Sequence, residues 1–325
     1  MILAGIDIGT NTLRLLVAET GANSFQEIYS DRKITRLGQE LDRTGLISEE
    51  AGDRSITALV DFKKNIQRHS TLKTSAVGTS ALRNASNAAW FIETVKQRTG
   101  LELTVISGEE EARLALLGVA QALKEPGYPG KTDPLESAFI IDIGGGSTEI
   151  IVTRKDVVPV IVSLPLGAVY LTERFIKSDP PSSLEKELLR RAVRNELNKY
   201  SSVLQPERAS FLVGTAGTVT TLAAIDQGLA MYDPLKINRH GMSKAVVDRI
   251  VRELSLRTLS ERRNMAGLDH GREDIILAGT MIVQEIMARY GYGNILVSDW
   301  GLREGIVMDL YEKVVKGNAT ALSEG

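Results

Sequence analysis

Ile141-Asp142-Ile143-Gly144-Gly145-Gly146-Ser147-Thr148-Glu149-Ile150-Ile151-Val152 is an apolar run ending in an acid, a glycine turn with a hydroxyl residue, and a second apolar run. The same design stands 135 positions earlier, aligned without a gap, as Ile6-Asp7-Ile8-Gly9-Thr10-Asn11-Thr12-Leu13-Arg14-Leu15-Leu16-Val17. Each copy reads as a β-hairpin. Glycine turns expose backbone N–H groups, and concave sets of N–H groups bind anions. Two such turns facing each other, each with an acid on a flanking strand, predict a duplicated protein that clamps phosphate between two domains. A second echo supports the duplication. Val77-Gly78-Thr79-Ser80 returns at an offset of 136 in Gly214-Thr215-Ala216-Gly217-Thr218 with the strand before it.

Outward from the hairpins, strands alternate with helices. In the first half, strands are expected at 2–8, 12–19, near Phe25–Arg36 after an Ala22-Asn23 turn, at Lys73–Gly78 and at Leu103–Ile106. Helices are expected from Ser48, as N-cap, to His69, over Asn84–Thr99 and over Gly108–Lys124. In the second half, strands fall near 136–142, 147–154, 157–164, Ser210–Val213 and Ile295–Val297. Helices there fall near 167–176, 183–200, after Thr218, near 243–255, 273–290 and 302–315, and Asn318–Gly325 reads as a frayed tail. Such alternation predicts an α/β protein with helices on both faces of each sheet. The Pro- and Gly-rich run Glu125–Pro134 marks the crossover between domains. The expected division is 1–125 plus 303–325 for the first domain and 126–302 for the second.

At 325 residues the chain is long enough for two domains with cores of their own. A net charge of −2 gives no global attraction to nucleic acid or membrane, so a polyanion must be held by local Arg, Lys and N–H groups. The absence of cysteine excludes disulfides, thiolate catalysis and Cys-based zinc sites, and fits a reducing compartment. With no signal peptide and no spanning apolar run, the expected location is cytoplasmic.

The glycine segment lets backbone approach a ligand closely, and Asp142 and Glu149 flank the same turn. Carboxylates beside a phosphate loop suit Mg²⁺, which takes hard oxygen ligands, few of them from protein. The bland alternative is a hairpin with two solvated acids; the repeat at Gly9, Thr10 and Asn11 favours phosphate binding. Glu109-Glu110-Glu111 opens a helix, where acids favour the macrodipole. Three adjacent acids cannot share one face, so one of them is a candidate to polarise a water for attack on phosphorus. Arg83, just beyond a strand end, is either a surface residue at a helix start or a bidentate phosphate ligand. Arg36 is a similar, weaker candidate. His69, His240 and His270 show no metal spacing, and Trp90 and Trp300 read as packing residues.

These segments resemble the exopolyphosphatase/guanosine pentaphosphate phosphohydrolase family of the actin-like ATPase superfamily, whose two domains are ribonuclease H-like duplicates around a cleft. The matches are Gly5–Thr12, Val77–Ala85, Ile106-Ser107-Gly108-Glu109-Glu110-Glu111-Ala112-Arg113-Leu114, Ile141–Glu149, Gly214–Thr218 and Val297-Ser298-Asp299-Trp300-Gly301-Leu302-Arg303-Glu304-Gly305. The resemblance implies Glu111 as catalytic base with Glu110 beside it. It implies Asp142 and Glu149 as acids associated with Mg²⁺ or another divalent cation. It implies phosphate binding by Gly9, Thr10, Asn11, Arg83, Gly144, Gly145, Gly146, Ser147, Gly214, Thr215 and Gly217. It also implies a C-terminal helix packed on the first domain and a homodimer. The expected activity is release of terminal phosphate from inorganic polyphosphate, with guanosine pentaphosphate as alternative substrate. An ATP-dependent small-molecule kinase is a more distant reading, opposed by the Glu-Glu-Ala-Arg segment, and a silent polyphosphate sensor is opposed by the filled catalytic positions. Many relatives carry a further helical domain, and the chain stops before one; that leaves room for short polyphosphates or nucleotide polyphosphates.

Overall fold

The alternation of apolar residues in the first hairpin puts Ile6, Ile8, Leu13, Leu15 and Val17 on one face of a sheet and Leu3, Leu16 and Ala18 on the other. Both faces are buried, which is why these strands read as nearly continuous apolar runs. The structure is a computed structural model that describes residues 1–22, 24–124, 134–204 and 211–323. The chain divides into two compact units, Met1–Gly118 with Gly301–Gly325, and Val119–Trp300.

In the first unit the elements run β1 (Ile2–Ile8), β2 (Thr12–Gly21), β3 (Ser24–Ile34), α1 (Leu41–Thr44), α2 (Glu49–Arg68), β4 (Lys73–Gly78), α3 (Ser80–Asn84), α4 (Ala88–Thr99), β5 (Leu103–Val105) and α5 (Gly108–Lys124), whose last turns belong to the second unit. The sheet order is β3-β2-β1-β4-β5, with β1, β4 and β5 parallel. Ser48 caps α2 by accepting from the Ala51 N–H, as its sequence predicts. Ile56, Leu59 and Phe62 of α2 and Phe91 and Val95 of α4 cover one face. The other face packs on the final helix of the chain, α14 (Leu302–Ser323), through Val307 and Leu310.

The second unit contains β6 (Ala138–Ile143), β7 (Thr148–Arg154), β8 (Val157–Leu164), α6 (Ala168–Phe175), α7 (Ser183–Lys199), α8 (Ser201–Leu204), β9 (Phe211–Thr215) and α9 (Ala216–Asp226). It continues with α10 (Pro234–Ile237), β10 (Gly241–Ser243), α11 (Lys244–Leu256), α12 (Leu259–Arg263), α13 (Ile276–Tyr290) and β11 (Asn294–Val297). Its sheet order is β10-β11-β9-β6-β7-β8, with β6, β9 and β11 parallel. Phe139, Ile141, Ile143, Ile150 and Val152 form a core with Leu189 and Val193 of α7, Val247 and Ile250 of α11, and Met281 and Ile282 of α13. Ile141, Ile143, Ile150 and Val152 are the duplicates of Ile6, Ile8, Leu15 and Val17, so the same hairpin face is buried in both units.

The structure departs from the expected elements at four points. The helix expected over Asn84–Thr99 starts only at Ala88, and Asn84 instead ends the short α3, because Ala85 is extended and Asn87 commits its amide to both backbone groups of Ile47. Gly214–Thr218, expected as a turn between a strand and a helix, is tighter than that: β9 runs through Thr215 and α9 starts at Ala216, whose φ of 65° makes the corner. The short β10 was not anticipated; three residues are too few to show a period. The last helix does not end near 315 with a frayed tail but continues to Ser323. Residues 125–133 of the expected crossover Glu125–Pro134, Asn23 of the expected turn and Ser210 of the expected strand lie outside the described residues. Among the described residues no helix is long and apolar enough to cross a membrane.

Candidate active site

In each unit the candidate residues collect at the carboxyl ends of the three parallel strands, the edge where open α/β sheets bind ligands. In the first unit β1 leads into Gly9–Asn11, β4 into Thr79–Arg83 and β5 into Ile106–Glu111. The Gly9 N–H donates to the Thr12 carbonyl at 3.2 Å and closes the turn. The Thr10 carbonyl accepts from the Gly38 N–H at 2.9 Å, and the Asn11 carbonyl from Thr35 and Arg36 at 3.1 and 3.0 Å. A trans peptide holds C=O and N–H antiparallel. With the Thr10 carbonyl turned to the 35–38 segment, the Asn11 N–H of the same peptide points away from it. Thr10 and Asn11 are themselves buried.

Ser107 caps α5: its hydroxyl accepts from the Glu110 N–H and its carbonyl from the Glu111 N–H. The helix then fans the three acids apart. Glu109 is exposed, Glu110 half-buried and Glu111 buried. The Arg83 Nη1 donates to Glu111 Oε2 at 2.7 Å and to the Ile106 carbonyl at 2.9 Å. Arg83 therefore lies at the end of α3 gripping Glu111, neither a solvated surface residue nor a helix start. Glu110 faces elsewhere. Arg113 grips it bidentately at 2.7 and 2.8 Å and reaches Asp309 of α14 at 2.6 Å. That guanidinium holds the Glu110 carboxyl below its usual range. On the sheet, Asp7 is buried opposite Arg14; burial pushes its carboxyl up against the pull of Arg14.

The second unit repeats the turn. The Gly144 N–H donates to the Ser147 carbonyl at 3.0 Å. The Gly144 carbonyl accepts from Ala168 at 3.0 Å and the Gly145 carbonyl from Val169 at 2.8 Å, both in the first turn of α6. By peptide planarity the N–H groups of Gly145 and Gly146 then point away from α6 and side by side. The seating of α6 depends on Gly167, where any Cβ would fall on the Gly145 carbonyl and the Gly146 backbone. Asp142 and Glu149 are cross-strand partners and buried. Cross-strand partners share a sheet face. The row extends to Ser163 on β8, whose hydroxyl donates to Glu149 Oε1 at 2.8 Å, and to Thr215 on β9.

The donor set suits Mg²⁺. Two carboxylates opposite each other repel, and a shared cation relieves that; Mg²⁺ takes one or two protein carboxylates and completes its shell with water and phosphate. Among the described residues there is no cluster of three His, Asp or Glu of the kind an all-protein cage needs. At the β9–α9 corner, the Ser298 N–H donates to the Gly214 carbonyl and the Thr215 hydroxyl to the Trp300 carbonyl. Gly217 lies against the guanidinium of Arg272, a buried side chain. Sequence reasoning missed Gly167 and Arg272. Gly167 had a usable signal, a glycine immediately before a helix; Arg272 had none, since its 51-residue separation from Thr221 is closed by the fold alone. Of the histidines, His69 stacks on Tyr29, His240 pairs with Asp226 and His270 is exposed.

The sequence profile of the Ppx/GppA phosphatase family matches residues 16–314. The chain belongs to the Ppx/GppA phosphatase family. Its membership makes it a phosphoanhydride hydrolase. It is similar to exopolyphosphatase 2 of Mycobacterium tuberculosis, 34% identical over 321 residues that cover 95% of this chain and 98% of that protein. Among solved structures, the Aquifex aeolicus Ppx/GppA family member is 34% identical with a TM-score of 0.78, covering 98% of this chain and 99% of that one. An exopolyphosphatase from Cytophaga hutchinsonii is 26% identical with a TM-score of 0.87, covering 96% and 98%. These likenesses identify the two-sheet architecture of this Ppx/GppA phosphatase as the actin-like fold.

Proposed function

We propose that this Ppx/GppA phosphatase removes terminal orthophosphate from inorganic polyphosphate by in-line attack of water, with Glu111 as the base. One observation carries the assignment of the base. Of the three acids that open α5, Glu111 alone is both buried and fixed by a guanidinium at the carboxyl edge of the sheet. Glu110 is committed to Arg113 and has no part in the step. The exopolyphosphatase names of the relatives support polyphosphate as the substrate class.

In this reading the N–H groups of Gly145 and Gly146 with the Ser147 hydroxyl in the second unit, and the Asn11 N–H in the first, serve as donors to phosphate oxygens. Arg83 fixes the Glu111 carboxylate through Oε2, and that carboxylate takes the proton from the attacking water. Water's oxygen bonds to the terminal phosphorus as the phosphoanhydride bond breaks, releasing orthophosphate; the leaving group is the polyphosphate shortened by one unit, which departs without a strong acid. Asp142 and Glu149 would hold a divalent cation, Mg²⁺ in our reading, and that ion supplies charge neutralisation on the phosphate oxygens.

The test is phosphate release from inorganic polyphosphates of defined length and from guanosine pentaphosphate, with Mg²⁺ omitted and restored. Polyphosphate turnover that needs Mg²⁺ and falls by about 10²-fold or more in kcat in Glu111→Gln, with KM little changed, is the expected result. Unchanged turnover in that variant removes Glu111 from the base role. A preference for guanosine pentaphosphate at matched concentration moves the substrate assignment to the nucleotide.

A further inference from the structure

The two hairpins are copies in backbone but not in charge. The positions that pair Asp142 with Glu149 in the second pair Asp7 with Arg14 in the first. The rows across the sheets diverge in the same sense. The second unit aligns Ser163, Glu149, Asp142 and Thr215, whereas the first aligns Arg32, Arg14, Asp7 and Val77. The first row carries its own positive charge.

The geometry of Asp7 shows what that charge does. Arg14 Nη1 donates to Asp7 Oδ2 at 2.9 Å, and the Asp7 side chain is 4% exposed. Asp7 Oδ1 accepts no hydrogen bond among the described residues and faces the turn, since a methyl group placed on Gly9 would lie 3.7 Å from it. Arg303 adds a second positive charge near Asp7; Glu304, the other nearby acid, is engaged by the Gly301 N–H and by Arg303. A buried carboxylate is tolerated when a cation stands beside it, and a fixed guanidinium at that distance repels a mobile divalent ion from the same oxygen pair.

We propose that Arg14 is the built-in cation of the first hairpin, doing permanently what a recruited divalent ion does in the second. The chain accordingly holds one divalent cation, on Asp142 and Glu149, and Asp7 is not a ligand. The inference rests on the reading above that Asp142 and Glu149 form the metal site. The two copies of the hairpin then differ in kind: one has an acid pair that needs an ion, and the other an acid with an arginine opposite it.

The experiment counts ions rather than turnover. The full chain is titrated with Mn²⁺ in the presence of inorganic phosphate, and bound ion is read from the loss of the free-ion paramagnetic resonance signal. One ion per chain is expected, with affinity reduced about tenfold or more in Glu149→Gln and changed less than about threefold in Asp7→Asn. Arg14→Glu gives the first hairpin an acid pair like that of the second, and a second ion is expected in that variant once circular dichroism shows it folded. A folded Arg14→Glu chain that still holds one ion overturns the role given to Arg14. Two ions in the unaltered chain, one of them abolished by Asp7→Asn, overturn the proposal while leaving the Asp142–Glu149 site intact. A single ion that survives both Asp142→Asn and Glu149→Gln but is lost in Asp7→Asn overturns the proposal and the metal reading together.

Discussion

In the proposed mechanism Glu111 and Arg83 act as one unit, since the two side chains are paired at 2.7 Å. The guanidinium spans Glu111 Oε2 and the Ile106 carbonyl, so it fixes the rotamer of the proposed base from the end of α3, which follows a different strand. Arg83→Ala is therefore expected to lower kcat by roughly 10-fold or more as well as raising KM, because a loosened base spends less time aligned with its water. Arg83→Lys should restore charge but not the two-point grip, leaving KM nearer the parent value and kcat still depressed. A change in KM alone in both variants would mean that Arg83 only holds substrate. The acids of α5 show how much was legible at this scale. Three adjacent glutamates on a helix must point in different directions, and the sequence says so. Which one turns inward was a matter of helix phase against a core that the sequence does not display, and it is Glu111.

At the scale of elements, the glycine turn of the second hairpin depends on α6 and on Gly167. Gly167→Ala should force α6 off the turn, costing about 1–3 kcal/mol of stability as an overpacking change. Because the Gly144 and Gly145 carbonyls lose their partners, affinity for phosphate should fall further than the stability change alone explains. Thermal melts compared with inorganic phosphate binding separate the two effects. The packing of α5 on α14 makes a pH prediction. Arg113 holds Glu110 below the usual carboxylate range; for Asp309, burial works in the opposite direction but is outweighed by Lys313 and Arg113. Both carboxyls give up their protons more readily in the folded chain. Their contribution is thus complete above about pH 4–5 and drains as pH falls through their lowered values. The parent chain should lose melting temperature on acidification across that window more steeply than Glu110→Gln or Asp309→Asn. Equal slopes would show that the Arg113 contacts add nothing to stability in solution.

At the scale of the molecule, the two units differ in how the chain builds them. The second is one continuous stretch, Val119–Trp300, with a core drawn from its own strands and helices. The first needs two stretches, since Leu3, Leu16 and Ala18 are covered by Val307 and Leu310 of α14. A fragment 119–300 is expected to melt cooperatively on its own. A fragment 1–118 should not, until the segment 301–325 is supplied in trans or fused. Cooperative melting of 1–118 alone, followed by circular dichroism, would show that α14 is dispensable to that core.

The sequence by itself determined the hairpins, their duplication and most strands and helices. Those follow from local chemistry: apolar alternation, glycine turns and capping residues act within a few positions of one another. It also marked Asp142 and Glu149 as neighbours, because a tight turn fixes the register of the strands on either side. Tertiary structure alone decided the partners of the charged residues. Arg83 with Glu111, Arg113 with Asp309 and Arg272 against Gly217 join positions from 28 to 196 residues apart. Long charged side chains carry no periodic signal of their destination, since what they meet is set by which strand ends and helix faces the folded core brings side by side.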